Sequence, residues 1–169
     1  KLFAKGVSSV LDYSVEGKSI ENQFDNALEK ILKIIQFCDD RDAMPIVVFK
    51  PTGFGRFLLY QKKTEGIGLT NEEEAEWNRI VGRFDSVCKL AKEKDVEVLI
   101  DGEESWMQDA ADDLVEEMMR RYNTDVTIVY NTLQLYRWDR LDYLKTLHQR
   151  AKDNGFKIGM KIVRGAYME

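Results

Sequence analysis

The order of apolar segments in this chain predicts an α/β fold: a parallel (β/α)8 TIM-type barrel, of which residues 1–169 supply about the first five βα units as a single incomplete domain. Two observations carry that expectation. Short apolar runs alternate with longer stretches of helical periodicity in the order βαβαβαβαβ, and right-handed crossovers then make the sheet parallel with helices outside it. Asp12, Lys50, Asp101, Asn131 and Lys161 stand at the carboxyl ends of successive strands; a barrel delivers every strand end to one mouth, whereas an open sheet shares only its switch point. A doubly wound five-stranded sheet would be complete at this length, while a barrel takes about 250 residues. The chain stops directly after a strand and its loop, which favours a barrel cut short.

The elements follow in order. Val7, Val10 and Leu11 lead to Asp12, and a helix follows with Ile20, Phe24, Ala27 or Leu28, Ile31, Ile35 and Cys38 at helical spacing. Pro45 opens IVVF, an apolar strand suited to burial on both faces, which ends at Lys50. The long, glycine-containing connection from Pro51 to Leu69 reads as a lid or substrate-side loop with a short helix at its centre. Thr70 with Glu73 forms a capping box before the stripe Trp77, Ile80, Phe84, Val87, Cys88 and Ala91, and Glu72, Glu73 and Glu74 are solvated first-turn acids rather than a metal site. Val96 to Ile100 makes the third strand. Ser105 with Gln108 predicts a second capping box, with Met107, Ala110, Leu114, Met118 and Tyr122 on the buried face behind it. Val126, Ile128 and Val129 form a fourth strand that runs out over Asn131 to Gln134. Trp138, Leu141, Leu144, Leu147 and Ala151 mark the next helix, with His148 partly buried beside them, and Lys157 starts the fifth strand.

The chain is 44% hydrophobic and 33% charged, the profile of a globular domain, and its formal net charge of -5 argues against a nucleic-acid partner, which requires a basic face. No run reaches the roughly 18 apolar residues of a spanning helix, and the opening KLFAKGVSS lacks the pattern of a signal peptide. Cys38 and Cys88 have no CxxC partner or histidine cluster, so neither a disulfide nor a metal site is expected, and a reducing, cytoplasmic setting follows.

The closing segment KIVRGAYME, Lys161 to Glu169, is a strand running into a compact basic loop. Glycine permits close approach of a ligand to the backbone, Arg164 offers a fork of donors for phosphate, and Tyr167 offers a flat face for a ring, a combination that suits a nucleotide-like cofactor. An ordinary turn with a surface arginine is the plainer reading of the same residues.

Taken with LDYSVEG at Leu11 to Gly17, FKPTGFGRF at Phe49 to Phe57, LIDGEESWMQ at Leu99 to Gln108 and NTLQLYRWDRL at Asn131 to Leu141, that segment makes the chain resemble the catalytic barrel of the proline dehydrogenase family. The blocks occur in family order over nearly the whole length. The resemblance implies FAD as cofactor, L-proline as substrate and oxidation to 1-pyrroline-5-carboxylate by hydride transfer, the first step of proline catabolism to glutamate, with electrons passed on to a quinone. It implies a cytoplasmic protein able to associate peripherally with the inner membrane, mitochondrial in a eukaryote, and places the later strands and an arginine-bearing final helix beyond Glu169.

Position by position, the resemblance makes Asp101 the catalytic aspartate and Lys161 a basic residue beside the reactive flavin nitrogen, where many bacterial members carry arginine. Lys50, Glu16 and Tyr167 fall at the substrate pocket, Lys50 toward the substrate carboxylate and Glu16 toward an arginine outside this chain. Gln134, Val163, Arg164, Gly165 and Ala166 fall on the flavin, and Gly102 replaces a larger residue beside the aspartate. The chemistry agrees: proline's amine must be neutral before hydride leaves the adjacent carbon, so a carboxylate to orient or deprotonate it and a cation near the developing charge are both useful. Asp101 and Lys161 could instead serve only to neutralise other charges of the barrel interior. A rival enzyme is an aldolase-type barrel with a Schiff base on Lys50 or Lys161, and a non-catalytic scaffold is a third reading.

Overall fold

A computed structural model describes residues 2–12, 20–39 and 42–165. Five strands, β1 (Val10–Asp12), β2 (Ile46–Phe49), β3 (Glu97–Ile100), β4 (Val129–Gln134) and β5 (Met160–Val163), form one sheet in the order β1-β2-β3-β4-β5. Every adjacent pair is parallel. A doubly wound sheet would place the first strand inside the order; here it lies at an edge, so the described residues form an arc of a barrel wall. Helices α1 (Glu21–Cys38), α3 (Asn71–Lys94), α4 (Ser105–Tyr122) and α5 (Arg140–Asn154) are the crossovers, with α2 (Phe57–Thr64) as an additional helix between β2 and α3.

The period-2 pleat divides the sheet residues between two environments. Val47, Phe49, Val98, Ile100 and Val129 belong to the continuous core shared with the helices, with Ile31, Ile35, Ile80, Phe84, Val87, Met107, Leu114 and Met118 opposite them. Their neighbours in sequence, Val48, Lys50, Leu99, Asp101 and Tyr130, and with Tyr130 the residue two further on, Thr132, therefore face the inside of the arc. Phe49, Phe54 and Phe84 form an aromatic trio, the Phe49 and Phe54 centroids 4.8 Å apart and Phe84 edge-on to both at 5.3 and 5.6 Å.

Several sequence expectations change here. The first part of the segment from Pro51 to Leu69 is packed and does not form a lid: Leu59 and Tyr60 of α2 are fully buried and the Tyr60 hydroxyl donates to the Pro51 carbonyl at 2.8 Å, while Glu65 to Gly68 are exposed. The capping box of α3 forms, Glu73 N donating to Thr70 Oγ1 and Thr70 N to Glu73 Oε2. The one expected on Ser105 does not. Ser105 is already helical, the cap residue is Glu104 without a side-chain cap bond, and Gln108 Oε1 accepts from the Glu103 N–H at 2.8 Å. β4 begins at Val129 instead of Val126 and continues through Gln134, so Asn131 lies inside the strand. Trp138, 95% exposed, and Leu141 stand outside the buried stripe of α5, which rests on Leu147 and Ala151, and His148 is exposed. Among the described residues no helix is long and apolar enough to cross a membrane.

Phe84 ties α3 to β2 through that trio, so Phe84→Ala should cost about 3–5 kcal/mol, the usual range for a buried phenylalanine truncated to alanine. Urea unfolding of the full-length protein followed by circular dichroism measures it. A loss under about 1 kcal/mol would mean the trio is not closely packed in solution.

Candidate active site

Parallel register decides which polar side chains meet. Ile100 is the last residue of β3, and Asp101 continues its ladder, its N–H donating to the Phe49 carbonyl at 3.0 Å. Val98 and Leu99 pair with Val129 and Tyr130, and Thr132 pairs with Lys161. Carrying these pairings forward sets Lys50, Asp101, Thr132 and Lys161 on one level of four adjacent strands with side chains on the inner face. Lys161 Nζ accordingly donates to Asp101 Oδ1 across β4. Thr132 makes the reach feasible, because its side chain is short and its hydroxyl turns back to donate to the Ile100 carbonyl at 2.7 Å. The pair is partly open to the mouth, with side-chain exposures of 27% for Lys161 and 22% for Asp101.

Four of the five residues expected at the rim take their places with qualifications. Asp12 ends β1 and is exposed, but pairs with Val48 and so stands lower than Lys50, as the stagger of a barrel requires. Lys50 and Asp101 directly follow their strands. Lys161 is the second residue of β5, inside the strand, yet faces inward. Asn131 is the exception. It has the opposite pleat parity, is buried, and donates to Asp112 Oδ1 of α4 at 2.8 Å and the Tyr143 hydroxyl of α5 at 3.1 Å. It therefore joins sheet to helices and lies outside the mouth. Asp112 also accepts from Gln108 Nε2 and Arg140 Nη1. Burial pushes its carboxyl above the ordinary range, against the lowering effect of those donors.

At the carboxyl end of β4, Gln134 is buried and donates from Nε2 to the Glu103 carbonyl at 2.8 Å, while Arg137 Nη1 lies 3.4 Å from its Oε1. Gln134 rests on Gly102, where an added Cβ would stand 3.1 Å from its amide, so any larger residue there obliges the glutamine to shift. Gln134 pairs with Val163, the last residue of β5. Arg164 and Gly165 follow, both exposed; Gly165 has φ 95, a left-handed value, and the Tyr136 ring lies so near that a Cβ would be 3.1 Å from it. Lys50, Gly102, Glu103, Glu104, Ser105, Gln134, Tyr136 and Arg137 line an open cleft of about 530 Å³. Glu16, Ala166 and Tyr167 lie outside the described residues.

Sequence reasoning named Asp101, Lys161, Lys50, Gly102 and Gln134, and these gather at one mouth. It passed over Thr132, Glu103, Thr52, Tyr136 and Arg137. Glu103 accepts from Thr52 N at 2.9 Å and Thr52 Oγ1 at 2.6 Å, and burial raises its carboxyl above the usual range although those bonds and nearby Lys50 lower it. The adjacency of Thr52 and Glu103 to the strand-end residues Lys50 and Asp101 was the available signal.

For a flat, phosphate-bearing cofactor the residues present fit: Gln134, Lys161 and Arg164 carry donors at the mouth, while the room left by the glycines at 102 and 165 is taken by Gln134 and by the Tyr136 ring, which the glycines allow to sit against the backbone. A parallel arc with a charged, glycine-lined mouth at its carboxyl ends is the architecture of the β/α-barrel class. The sequence profile of the family described as Proline dehydrogenase matches residues 1–169, and the chain belongs to that family. It is 40% identical over 168 residues to the carbapenem antibiotics biosynthesis protein CarD of Pectobacterium carotovorum subsp. carotovorum, covering 99% of this chain and 45% of that protein. It is 35% identical over 100 residues to the mitochondrial proline dehydrogenase 1 of Homo sapiens, covering 59% of this chain and 17% of that protein. The chain thus spans less than half the length of these relatives. In fold it matches proline utilization A of Bdellovibrio bacteriovorus with a TM-score of 0.75 at 17% identity, over 98% of this chain and 18% of that one.

The hydrogen bond from Arg140, and after it that from Arg137, holds Asp139 down to about 2 from its ordinary 3.8. A depressed carboxylate adds stability that is present above its unfolded pKa and lost as pH falls through the folded one. Melting temperatures of the wild type should therefore exceed those of Asp139→Asn at neutral pH, and the gap should close between about pH 4 and pH 2. Parallel curves across that window would show that Asp139 has no such partners in solution.

Proposed function

We propose that this chain supplies part of the active site of an FAD-dependent enzyme oxidising L-proline to 1-pyrroline-5-carboxylate, with a quinone as eventual electron acceptor, and that residues 1–169 are one incomplete domain of it. Membership of the proline dehydrogenase family supports the substrate class. The single observation that carries the residue assignment is the Asp101 and Lys161 pair on the inner face, level with Lys50 and below Gln134.

Proline presents a carboxylate and a ring nitrogen that is protonated in water. Lys50 gives the carboxylate a charge partner at the mouth. Asp101 orients the nitrogen and, directly or through water, takes the proton whose removal leaves its lone pair free. The flavin, when bound, supplies the two-electron acceptor for the hydride leaving the adjacent carbon. Gln134 and Arg164 would offer it donors, and Gly102 and Gly165 let Gln134 and Tyr136 lie close against the backbone beside it. Lys161 keeps a positive charge where negative charge develops, in surroundings of lower dielectric than water. Glu16 and Tyr167 complete the substrate side, and Val163 and Ala166 the cofactor side.

In a Schiff-base barrel Lys50 or Lys161 would have to attack as a neutral amine, and the engagement of Lys161 Nζ with Asp101 gives that role no support. Full-length protein that purifies yellow and is bleached by proline favours the flavin reading, whereas borohydride trapping of a carbonyl substrate on lysine favours the rival. The names of the relatives span mitochondrial proline dehydrogenases and an antibiotic biosynthesis protein. A common oxidation feeding either catabolism to glutamate or a biosynthetic route accounts for both.

Lys161→Met in the full-length protein removes the cation and leaves the Asp101 carboxylate near the flavin, and both changes disfavour the reduced state. The flavin should stay bound while its midpoint potential falls by roughly 30 mV for each ~1.4 kcal/mol lost, with reduction by proline slowed about tenfold for the same energy. Lys161→Arg should retain most of both. Loss of flavin from a folded Met variant would make Lys161 a binding residue, and an unchanged potential and rate would remove it from the site.

A further inference from the structure

We propose that Glu103 is a positioning residue for this site, bracing the loops after β2 and β3 and fixing the amide of Gln134. The proposal rests on the flavin-dependent reading above. Every polar group of Glu103 is engaged with a different segment of the mouth. Its carboxylate accepts from Thr52 N and Thr52 Oγ1, two residues beyond Lys50. Its N–H donates to Gln108 Oε1 on the first turn of α4. Its carbonyl accepts from Gln134 Nε2 at the end of β4. The residue thus joins the chain that carries Lys50, the chain that carries Asp101 and the strand level with Val163.

The carbonyl contact also fixes polarity. A backbone carbonyl can only accept, so the face of the Gln134 amide turned toward residue 103 must be its NH2 group. Oε1 then falls on the side of Arg137, and one N–H of Nε2 remains for another partner. A glutamine held this way offers a bound ring a defined donor, whereas a rotating amide would offer donor and acceptor alternately. Gly102 contributes by letting the amide lie against the backbone. Gln108 is in turn held by Asp112, so the brace is anchored in the buried polar cluster between sheet and helices.

The test uses full-length, flavin-loaded protein carrying Glu103→Ala, Glu103→Gln, Thr52→Val or Thr52→Ser. In Glu103→Ala, amide exchange over residues 51–55 and 101–104 should accelerate, the flavin should stay bound with an altered visible circular dichroism spectrum, and kcat should fall about tenfold. Glu103→Gln retains one acceptor for Thr52 and should change less. Thr52→Val should move the flavin spectrum in the direction of Glu103→Ala, and Thr52→Ser, which keeps the hydroxyl, should match wild type. Faster exchange with an unchanged flavin spectrum and kcat would make Glu103 a structural clamp only, and unchanged exchange would mean there is no brace; either result overturns the proposal. If Glu103→Ala does not fold, the Thr52 pair decides: Val altered and Ser unaltered supports the brace, both unaltered overturns it. A wild type that binds flavin yet is not reduced by proline would sink the substrate reading while the exchange and spectral comparisons still judge the brace.

Discussion

The site depends on one register. Because Thr132 pairs with Lys161 and the ladder of β3 continues to Asp101, an acid and a base from strands separated by β4 fall on the same level and the same face. A slip of one residue between β4 and β5 would turn Lys161 toward the helices and bring Met160 or Ile162 inward, since side chains alternate along a strand. Met160, packed against the helix-side core, opposes that slip within β5, and Val98, Ile100 and Val129 oppose the corresponding slip between β3 and β4 by burying only one set of side chains. The core on one side of the sheet thereby specifies the chemistry on the other.

On the helix side the sheet is secured by a polar node as well as by packing. Asp112, Asn131, Gln108 and Arg140 are all buried, and three different elements contribute to it. A carboxylate removed from water is costly unless its lone pairs are used, and here Gln108, Asn131 and Arg140 all donate to it. Such directional contacts fix where α4 and α5 sit relative to β4 more narrowly than apolar packing would. The consequence reaches the mouth, because the same Gln108 that serves Asp112 holds the peptide of Glu103.

What the sequence revealed followed local periodicity and composition. Continuous apolar runs such as IVVF disclosed buried strands, and Thr70 with Glu73 disclosed a helix start, because each depends on near neighbours in the chain. Asn131 was misplaced because β4 extends to Gln134, well past its apolar run, which ends at Val129, and polar residues within it are invisible to a hydrophobic pattern. Ser105 was misassigned for a different reason: the serine and glutamine spacing fits a capping box, but Gln108 is engaged by Glu103 and Asp112, local partners five and four residues away that compete with the capping geometry. The helix within Pro51 to Leu69 was anticipated, yet its burial was not, since α2 packs through Leu59 and Tyr60 against elements distant in sequence. Thr132 carries no local signal at all. Its importance lies in being short at a place where a lysine must pass.

The pairing of Asp101 with Lys161 also bears on how the mouth can treat a zwitterion. Two opposite charges already in contact are worth little to each other where both remain partly hydrated, because exposed pairs contribute at most about 1 kcal/mol. At 22% and 27% exposure these side chains stand between that limit and a buried pair. A ligand bringing its own positive nitrogen toward Asp101 and its own negative group toward a lysine can therefore exchange partners with the pair at small net cost, while excluding the water that screened it. Once water leaves, each surviving interaction strengthens. A preassembled ion pair in a half-open mouth is thus compatible with tight positioning of a charged substrate, provided Thr132 stays small enough to keep both charges on one level.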